Sequence, residues 1–378
     1  MKFLRAQEGS TKQLVYFCIG YFVTYVITGV TVKYYTKIVG MADFEFLVYG
    51  TGAAICIPTL VAFLFKWYRF EPDHKVRLLG LNIPFEYFYL IPSGICTAVV
   101  IPTTTLMYSL PISVMVAMII MRASVIVISR IVDAIQIRQG YLKKKVYREE
   151  DWGVVFAMVA MCINIFWVTG KEFDFLKSLP AVIILGSYVV AYAVRIYIMN
   201  YYKNVGARGK KFDNKAFFAV EQFTSTTTLI LVSFIIFHSI SWFGWDVPQV
   251  RAFRSAFLTP NIHWMSASFW GSFFGIVAFF SVFIFIFKGR TATFAGLVNR
   301  LTSLIAGTAA TLIYWSFFGG KFPDIKDWLS LLFILVAIYF ITKAEKKRVR
   351  ELVKTHEVED EVKSDNGQTV PMPVAVTE

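Results

Sequence analysis

Charge is what this chain has least of. Asp, Glu, Lys and Arg together supply 17% of its 378 residues, against 57% that are hydrophobic. A soluble domain carries nearer a quarter charged residues. A soluble fold would therefore need a very large core of uninterrupted apolar helices, and that reading is set aside. Cysteine is scarce: Cys18, Cys56, Cys96 and Cys162 all fall inside apolar runs, without metal-ligand spacing or a disulfide framework. They read as buried small residues. The four histidines, His74, His238, His263 and His356, are scattered. There is no Gly-rich phosphate loop, no nucleophile elbow and no paired-carboxylate signature, so neither enzyme activity, a metal nor a cofactor is expected. Period-two alternation is missing, which argues against a membrane β-barrel. The start, MKFLRAQEGSTKQ, has no apolar stretch followed by a small-residue cleavage site, so no removable signal is read.

What the chain does have is long apolar runs. Ten of them, at about 14–36, 43–65, 85–108, 111–133, 152–169, 179–200, 216–240, 265–287, 291–316 and 325–343, reach the roughly 17–25 residues that cross a bilayer. Backbone in lipid must satisfy its own hydrogen bonds, so each is expected to be helical. The fold expected is an all-α integral membrane protein with ten transmembrane helices. The net charge of +13 does not point to nucleic acid, because the basic residues flank the runs on one side. With the N-terminus inside, the inner segments hold 26 Lys/Arg, the outer ones 8, and Arg122, Arg130, Arg195 and Arg300 lie within spans. The positive-inside rule then puts both termini in the cytoplasm. All nine tryptophans fall near span ends or in adjoining loops, where indole meets the membrane interface. The outer loop around 241–264 is read as lying on the membrane surface. The tail from 344 onward is polar and is expected to be disordered. With no N-x-Ser/Thr sequon and no sorting signal, a bacterial inner membrane is favoured over a eukaryotic organelle, both staying open.

Ten spans divide as five plus five. Because five is odd, the second set enters from the opposite side, the geometry of inverted-repeat transporters with midplane sites. The expected organisation is a cytoplasmic N-terminus 1–13, a first repeat 14–169, a second repeat 179–343 and the tail 344–378. Spans 3 and 4 are joined at YSLPIS, and spans 8 and 9 almost as tightly at FKGRT. Aligning Pro111 with Gly289 brings Arg122 onto Arg300 and Ala117 onto Ala295. Each arginine then lies roughly 16 Å from its tight turn, near the middle of a ~30 Å core. A guanidinium there costs about 2.5–3.5 kcal/mol unless it faces a wet cavity or a partner. Either Asp133, Glu221 or backbone carbonyls pair it, or it lines an anion site. Arg130 and Arg195, near inner ends, are expected to snorkel.

Polar stripes frame these arginines. Thr293, Gly296, Arg300, Ser303 and Gly307 share one face of the ninth span, with Asn299 at its edge. Met115, Met118, Arg122, Ser129 and Asp133 share a face of the fourth. Glu221, Ser225 and Thr228 do so on the seventh, where Glu221 is either a snorkelling carboxylate or a proton or gate site. The third span carries Pro92 and Pro102, then Thr103, Thr104, Thr105 and Tyr108. Proline frees backbone carbonyls and favours a kink, so this span is a candidate gate. Tyr108 is either interfacial or a cavity group. Arg300, Asn299, Arg122, Gly296, Ser303, Tyr108 and Thr104 are thus the candidate substrate contacts, with Glu221 and Asp133 as candidate gate or proton sites.

With ten spans, the five-plus-five pattern, the two tight hairpins and the ninth-span segment, residues 14–343 resemble the drug/metabolite transporter superfamily. That superfamily includes EamA-type exporters, nucleotide-sugar transporters and triose-phosphate translocators. In its GDP-sugar group a Gly-Ala-Leu-Asn-Lys motif on the ninth helix contacts nucleotide phosphates. Here the matching stretch is Gly296, Leu297, Val298, Asn299, Arg300. Where that group carries Phe-Tyr-Asn-Asn on the seventh helix, this chain reads EQFTSTTTLI. The resemblance implies a secondary transporter of a small anionic metabolite, an organic phosphate or a nucleotide sugar. An EamA-like exporter of amino acids or drugs, or a non-transporting or lipid-handling membrane component, are the alternatives. The partners expected are a small-molecule substrate and the lipid bilayer, no nucleic acid, and a monomer or homodimer.

Overall fold

The computed structural model describes residues 11–69, 75–78, 81–142, 145–167, 173–202, 214–285 and 292–365. Helix α1 (Thr11–Lys33) ends in a π turn, Tyr34–Ile38. The next span is α2 (Asp43–Phe46), a second π turn and α3 (Gly52–Leu64). A hairpin follows, β1 (Lys75–Leu78) antiparallel to β2 (Leu81–Pro84), with Lys75 opposite Pro84 and Leu78 opposite Leu81. Then come α4 (Tyr87–Ser109), α5 (Val114–Arg138), α6 (Arg148–Phe166), α7 (Leu179–Tyr201) and α8 (Asn214–Phe243). A short α9 (Pro248–Leu258) precedes α10 (Trp264–Gly271) and α11 (Phe273–Phe285). The chain closes with α12 (Ala292–Phe318) and α13 (Ile325–Asp365). Among the described residues, nine stretches are long and apolar enough to cross a membrane. The chain is a multi-pass integral membrane protein whose crossing segments are helical.

Local chemistry sets the ends. Ser113 caps α5, its hydroxyl accepting from the Val116 amide at 3.1 Å, so the four-residue link after α4 turns straight into the next helix. Gly319 at φ 69° stops α12, a left-handed conformation glycine adopts at no steric cost. Within the spans, hydroxyls return to their own helix: Thr24 donates to the Gly20 carbonyl at 2.7 Å and Thr59 to that of Ile55 at 2.7 Å. Large apolar side chains such as Ile230, Leu231, Phe234 and Val190 face outward, where lipid replaces water.

The remaining expected span, α6, opens with Arg148, Glu149, Glu150 and Asp151, which leaves an apolar run of about 22 Å. Its two ends dock on the two ends of α13. Arg348 pairs with Glu150 and Lys347 with Glu149, while at the far end Lys326 Nζ donates to the Trp167 carbonyl at 3.2 Å. Phe156 stacks on Phe340 between them, ring centroids 5.5 Å apart. Charge that shortens the apolar run is thus neutralised by the neighbouring helix rather than by water.

Packing is selective. α1 lies against α11 and α12, and α7 against α4 and α5. α3 contacts α8 and α11, α4 contacts α8, and α5 contacts both α6 and α12. α5 runs through the centre: Met115, Met118, Ile119 and Ile120 are wholly buried. Close approach is bought with glycine, as at Gly275, where an added Cβ would meet the Ala54 carbonyl oxygen at 2.1 Å.

One expectation needs correction. The tail does not lose structure at 344: α13 continues to Asp365, because Glu345, Lys347, Arg348 and Glu351 pair with each other or with residues 145–150. The hydrogen bond from Lys145 holds the Glu351 carboxyl below the usual carboxylate range. Residues 366–378 lie outside the described residues. The loop after α8 carries structure of its own. It folds as amphipathic α9, seated by buried Phe253 and Ala256 and tied down by Tyr49, whose hydroxyl donates to the Ala256 carbonyl at 2.9 Å.

Candidate functional site

The end of the bundle where α1 begins carries most of the basic residues; the other is here the distal end. Two turns below the distal α4–α5 link, Val114, Met118 and Arg122 follow one another at four-residue spacing on a single face of α5. Arg122 is 7% exposed. One terminal nitrogen donates to the Tyr25 hydroxyl at 3.1 Å and reaches the Tyr21 hydroxyl at 3.4 Å, both on α1. Its guanidinium carbon lies 5.8 Å from the Tyr25 ring centroid, within range of the ring's negative face.

The phenols continue the network. Tyr108 donates to Tyr25 at 3.0 Å and also lies 2.9 Å from Met118 Sδ. Tyr21 donates to Asn299 Oδ1 at 3.2 Å, and Asn299 Nδ2 donates to Ser281 at 2.9 Å. Arg300, on the next position of α12, donates to the Ser129 hydroxyl of α5 at 2.8 Å. From α7, Tyr188 and Tyr192, with ring centroids 5.0 Å apart, lie near both arginines.

The charges in this cluster do not balance. Arg122 and Arg300 feel each other's repulsion, and Asp133 is the carboxylate that acts on Arg300. Among the described residues neither arginine makes an ion pair, and the Nε of each is buried without a hydrogen-bond partner. Buried cationic donors left in this state are costly. Neutral hydroxyls orient the guanidinium groups without cancelling them. Such an arrangement would suit an anion that can take the two orphaned N–H groups, and a guanidinium fork suits carboxylate or phosphate oxygens.

Of the residues singled out from the sequence, Arg122, Arg300, Asn299 and Tyr108 meet here. Tyr108 is wholly buried, which answers the interfacial alternative. Ser303 is buried beside them, its hydroxyl donating to the Arg300 carbonyl at 2.8 Å. Thr104 is not in the cluster; its hydroxyl donates to the Val100 carbonyl at 2.7 Å. α4 runs unbroken through Pro92 and Pro102. Asp133 sits towards the basic end and accepts from Asn200 at 3.3 Å. The surroundings of Gly296 lie outside the described residues.

Glu221 is elsewhere and is neither snorkelling nor near the arginine pair. It is wholly buried, accepting from Arg195 Nε at 2.7 Å and from its terminal nitrogen at 2.9 Å, with Ser93 at 2.8 Å and Thr97 at 3.0 Å. Arg195 therefore does not snorkel either: the carboxylate on α8 holds it inside. Arg130 does reach the basic end, where it pairs with Asp151 at 3.1 Å.

Four tyrosines were missed by the sequence reading. The available signal was a repeated one: Tyr21 and Tyr25 on the first span and Tyr188 and Tyr192 on the sixth, each pair at four-residue spacing. Compared with protein-family models and with curated proteins, the chain matches none of them.

Proposed function

We propose that this chain is a secondary transporter of a small organic anion, of drug/metabolite-transporter type, with ten spans in two inverted five-helix repeats. The observation that carries the reading is the convergence of Arg122 and Arg300, each with an orphaned buried N–H, among tyrosine hydroxyls and without an ion-paired carboxylate. A purely structural arginine pair would be expected to hold acids.

The packing supports the repeat. Exchange the first five spans with the last five. The α1–α12 and α1–α11 contacts become α7–α5 and α7–α4, α3–α11 becomes α8–α4, and α5–α12 and α6–α13 map onto themselves. Tyr21 and Tyr25 then correspond to Tyr188 and Tyr192, and Arg122 to Arg300. The docking of α6 along α13 at both ends supports α6 as the tenth crossing. The basic excess at the end bearing the termini supports a cytoplasmic location for both.

Burial supports alternating access. Towards the distal end the arginines are covered by Met115, Met118 and Tyr108, all wholly buried. Towards the basic end Ser129, Asp133 and Arg300 are half-buried. A site sealed on one side and looser on the other is one of the two states that rocking of the repeats interconverts. The test is uptake or counterflow in proteoliposomes against a panel of labelled organic phosphates, nucleotide sugars, carboxylates and amino acids. Arg300→Gln is expected to lower anion transport at least tenfold while the protein still elutes as a folded species. Undiminished transport would overturn the anion site.

A further inference from the structure

At the distal end, outside the arginine cluster, the bundle encloses a vestibule of about 640 Å³. Cavities of roughly 300–1,000 Å³ accommodate metabolite-sized ligands. Four ammonium-bearing side chains line it, Lys33, Lys37, Lys321 and Lys326, against two carboxylates, Asp324 and Asp327. Lys321 is paired with Asp324 at 2.7 Å, and Lys326 is tied to the Trp167 carbonyl. The two lysines of the first span differ. Lys33 is 5% exposed and donates to the Leu110 carbonyl at 2.5 Å, and Lys37 projects from the next turn. Among the described residues neither makes an ion pair.

A lysine buried to that degree is rare without a charged partner, and the carboxylate near Lys33, that of Asp43, is shared with Lys37. Lys33 is held at the wall by one carbonyl of the α4–α5 link, and an ammonium has three donors. The floor of the vestibule includes Val114, and Val114, Met118 and Arg122 share one face of α5, so the vestibule and the arginine cluster lie about 12 Å apart along a single helix. Between them is a close-packed seal. A Cβ on Gly29 would meet Val114 at 2.9 Å and Ala310 at 3.0 Å, and one on Gly307 would meet Met118 at 2.7 Å. Thr311 bonds the Met115 amide at 2.8 Å across the same layer. The two compartments are therefore separate in this conformation.

We propose that the distal vestibule is a second anion-binding site, which takes organic anions of metabolite size, with Lys33 and Lys37 as its cationic contacts. Its cationic mouth concentrates anions on the far side of the seal, as a like-charged cleft with low-dielectric walls does. This proposal does not depend on what the arginine cluster binds.

The probe is pyridoxal 5′-phosphate, applied to the full chain in nanodiscs at low salt. Its aldehyde condenses with a lysine amine with loss of water, and added borohydride delivers hydride to the imine carbon to leave a stable secondary amine that mass spectrometry locates. Labelling is expected to concentrate at Lys37 and Lys33 and to fall at least fivefold with millimolar inorganic phosphate, while Lys145 at the basic end is labelled without protection. Lys33→Gln, which keeps a donor for the Leu110 carbonyl, is expected to abolish phosphate protection of Lys37. Arg300→Gln is expected to leave it unchanged. Labelling of Lys37 that ignores phosphate, or protection that survives Lys33→Gln, would overturn the site. So would protection lost in Arg300→Gln, since phosphate would then be acting from the arginine cluster.

Discussion

Tyr25 is the pivot of the arginine cluster: its hydroxyl accepts from Arg122 and from Tyr108, while its ring faces the guanidinium. Tyr25→Phe keeps the ring and removes only the shared oxygen. A hydrogen bond to a charged group is worth about 1.5–3 kcal/mol, so apparent substrate affinity is expected to weaken by about tenfold or more, read as a raised half-saturation in uptake. Glu221 obeys different physics. Its two oxygens, fully buried, hold Arg195, Ser93 and Thr97, so the group is a pin between α4, α7 and α8. Removing one partner of a buried ion pair costs about 3–5 kcal/mol, whereas replacing both with apolar groups is close to neutral. Glu221→Ala is expected to lower the unfolding temperature in detergent sharply, and Glu221→Met with Arg195→Met to recover most of it. A stable Glu221→Ala protein with an altered pH profile of transport would instead make Glu221 a proton carrier.

Between elements, contact depends on how near two backbones can come. Gly275 on α11 meets the Ala54 carbonyl of α3 so closely that a methyl group has no space, and the obstacle is backbone rather than a flexible side chain. Gly275→Ala is expected to cost about 1–3 kcal/mol, the usual scale of overpacking, measured as thermal destabilisation, whereas Ala at Gly186, which has open space, is expected to be silent. The third span shows the reverse case. Its prolines suggested a gate, yet α4 is continuous, and the Thr103 and Thr104 hydroxyls bond carbonyls in the turn beside Pro102.

Across the whole molecule, the distal seal is the part that the proposed alternating access would have to open. Met115 of α5 and Thr311 of α12 come from opposite halves and meet directly at 2.8 Å. With the four native cysteines replaced, a Met115→Cys, Thr311→Cys protein is expected to stop transporting on oxidation and to resume on reduction. Transport that continues through the crosslinked protein would exclude a distal opening between these helices.

Run lengths alone determined the membrane class and the helical character of the crossing segments, because the bilayer imposes one length and one backbone conformation on any segment that crosses it. The distance of Arg122 along α5 from the α4–α5 link was legible too, since rise per residue converts position into height. What height cannot give is azimuth or neighbour. That Glu221 turns to Arg195 rather than to the arginine cluster, and that Tyr21, Tyr25, Tyr188 and Tyr192 close around it, depends on which faces of α1 and α7 meet α5 and α12. An apolar span has little amphipathic pattern to announce its inner face, because lipid and protein interior are nearly the same solvent. Only tertiary packing, which aims each polar side chain at another that satisfies it, decided where the unsatisfied charges of this protein remain.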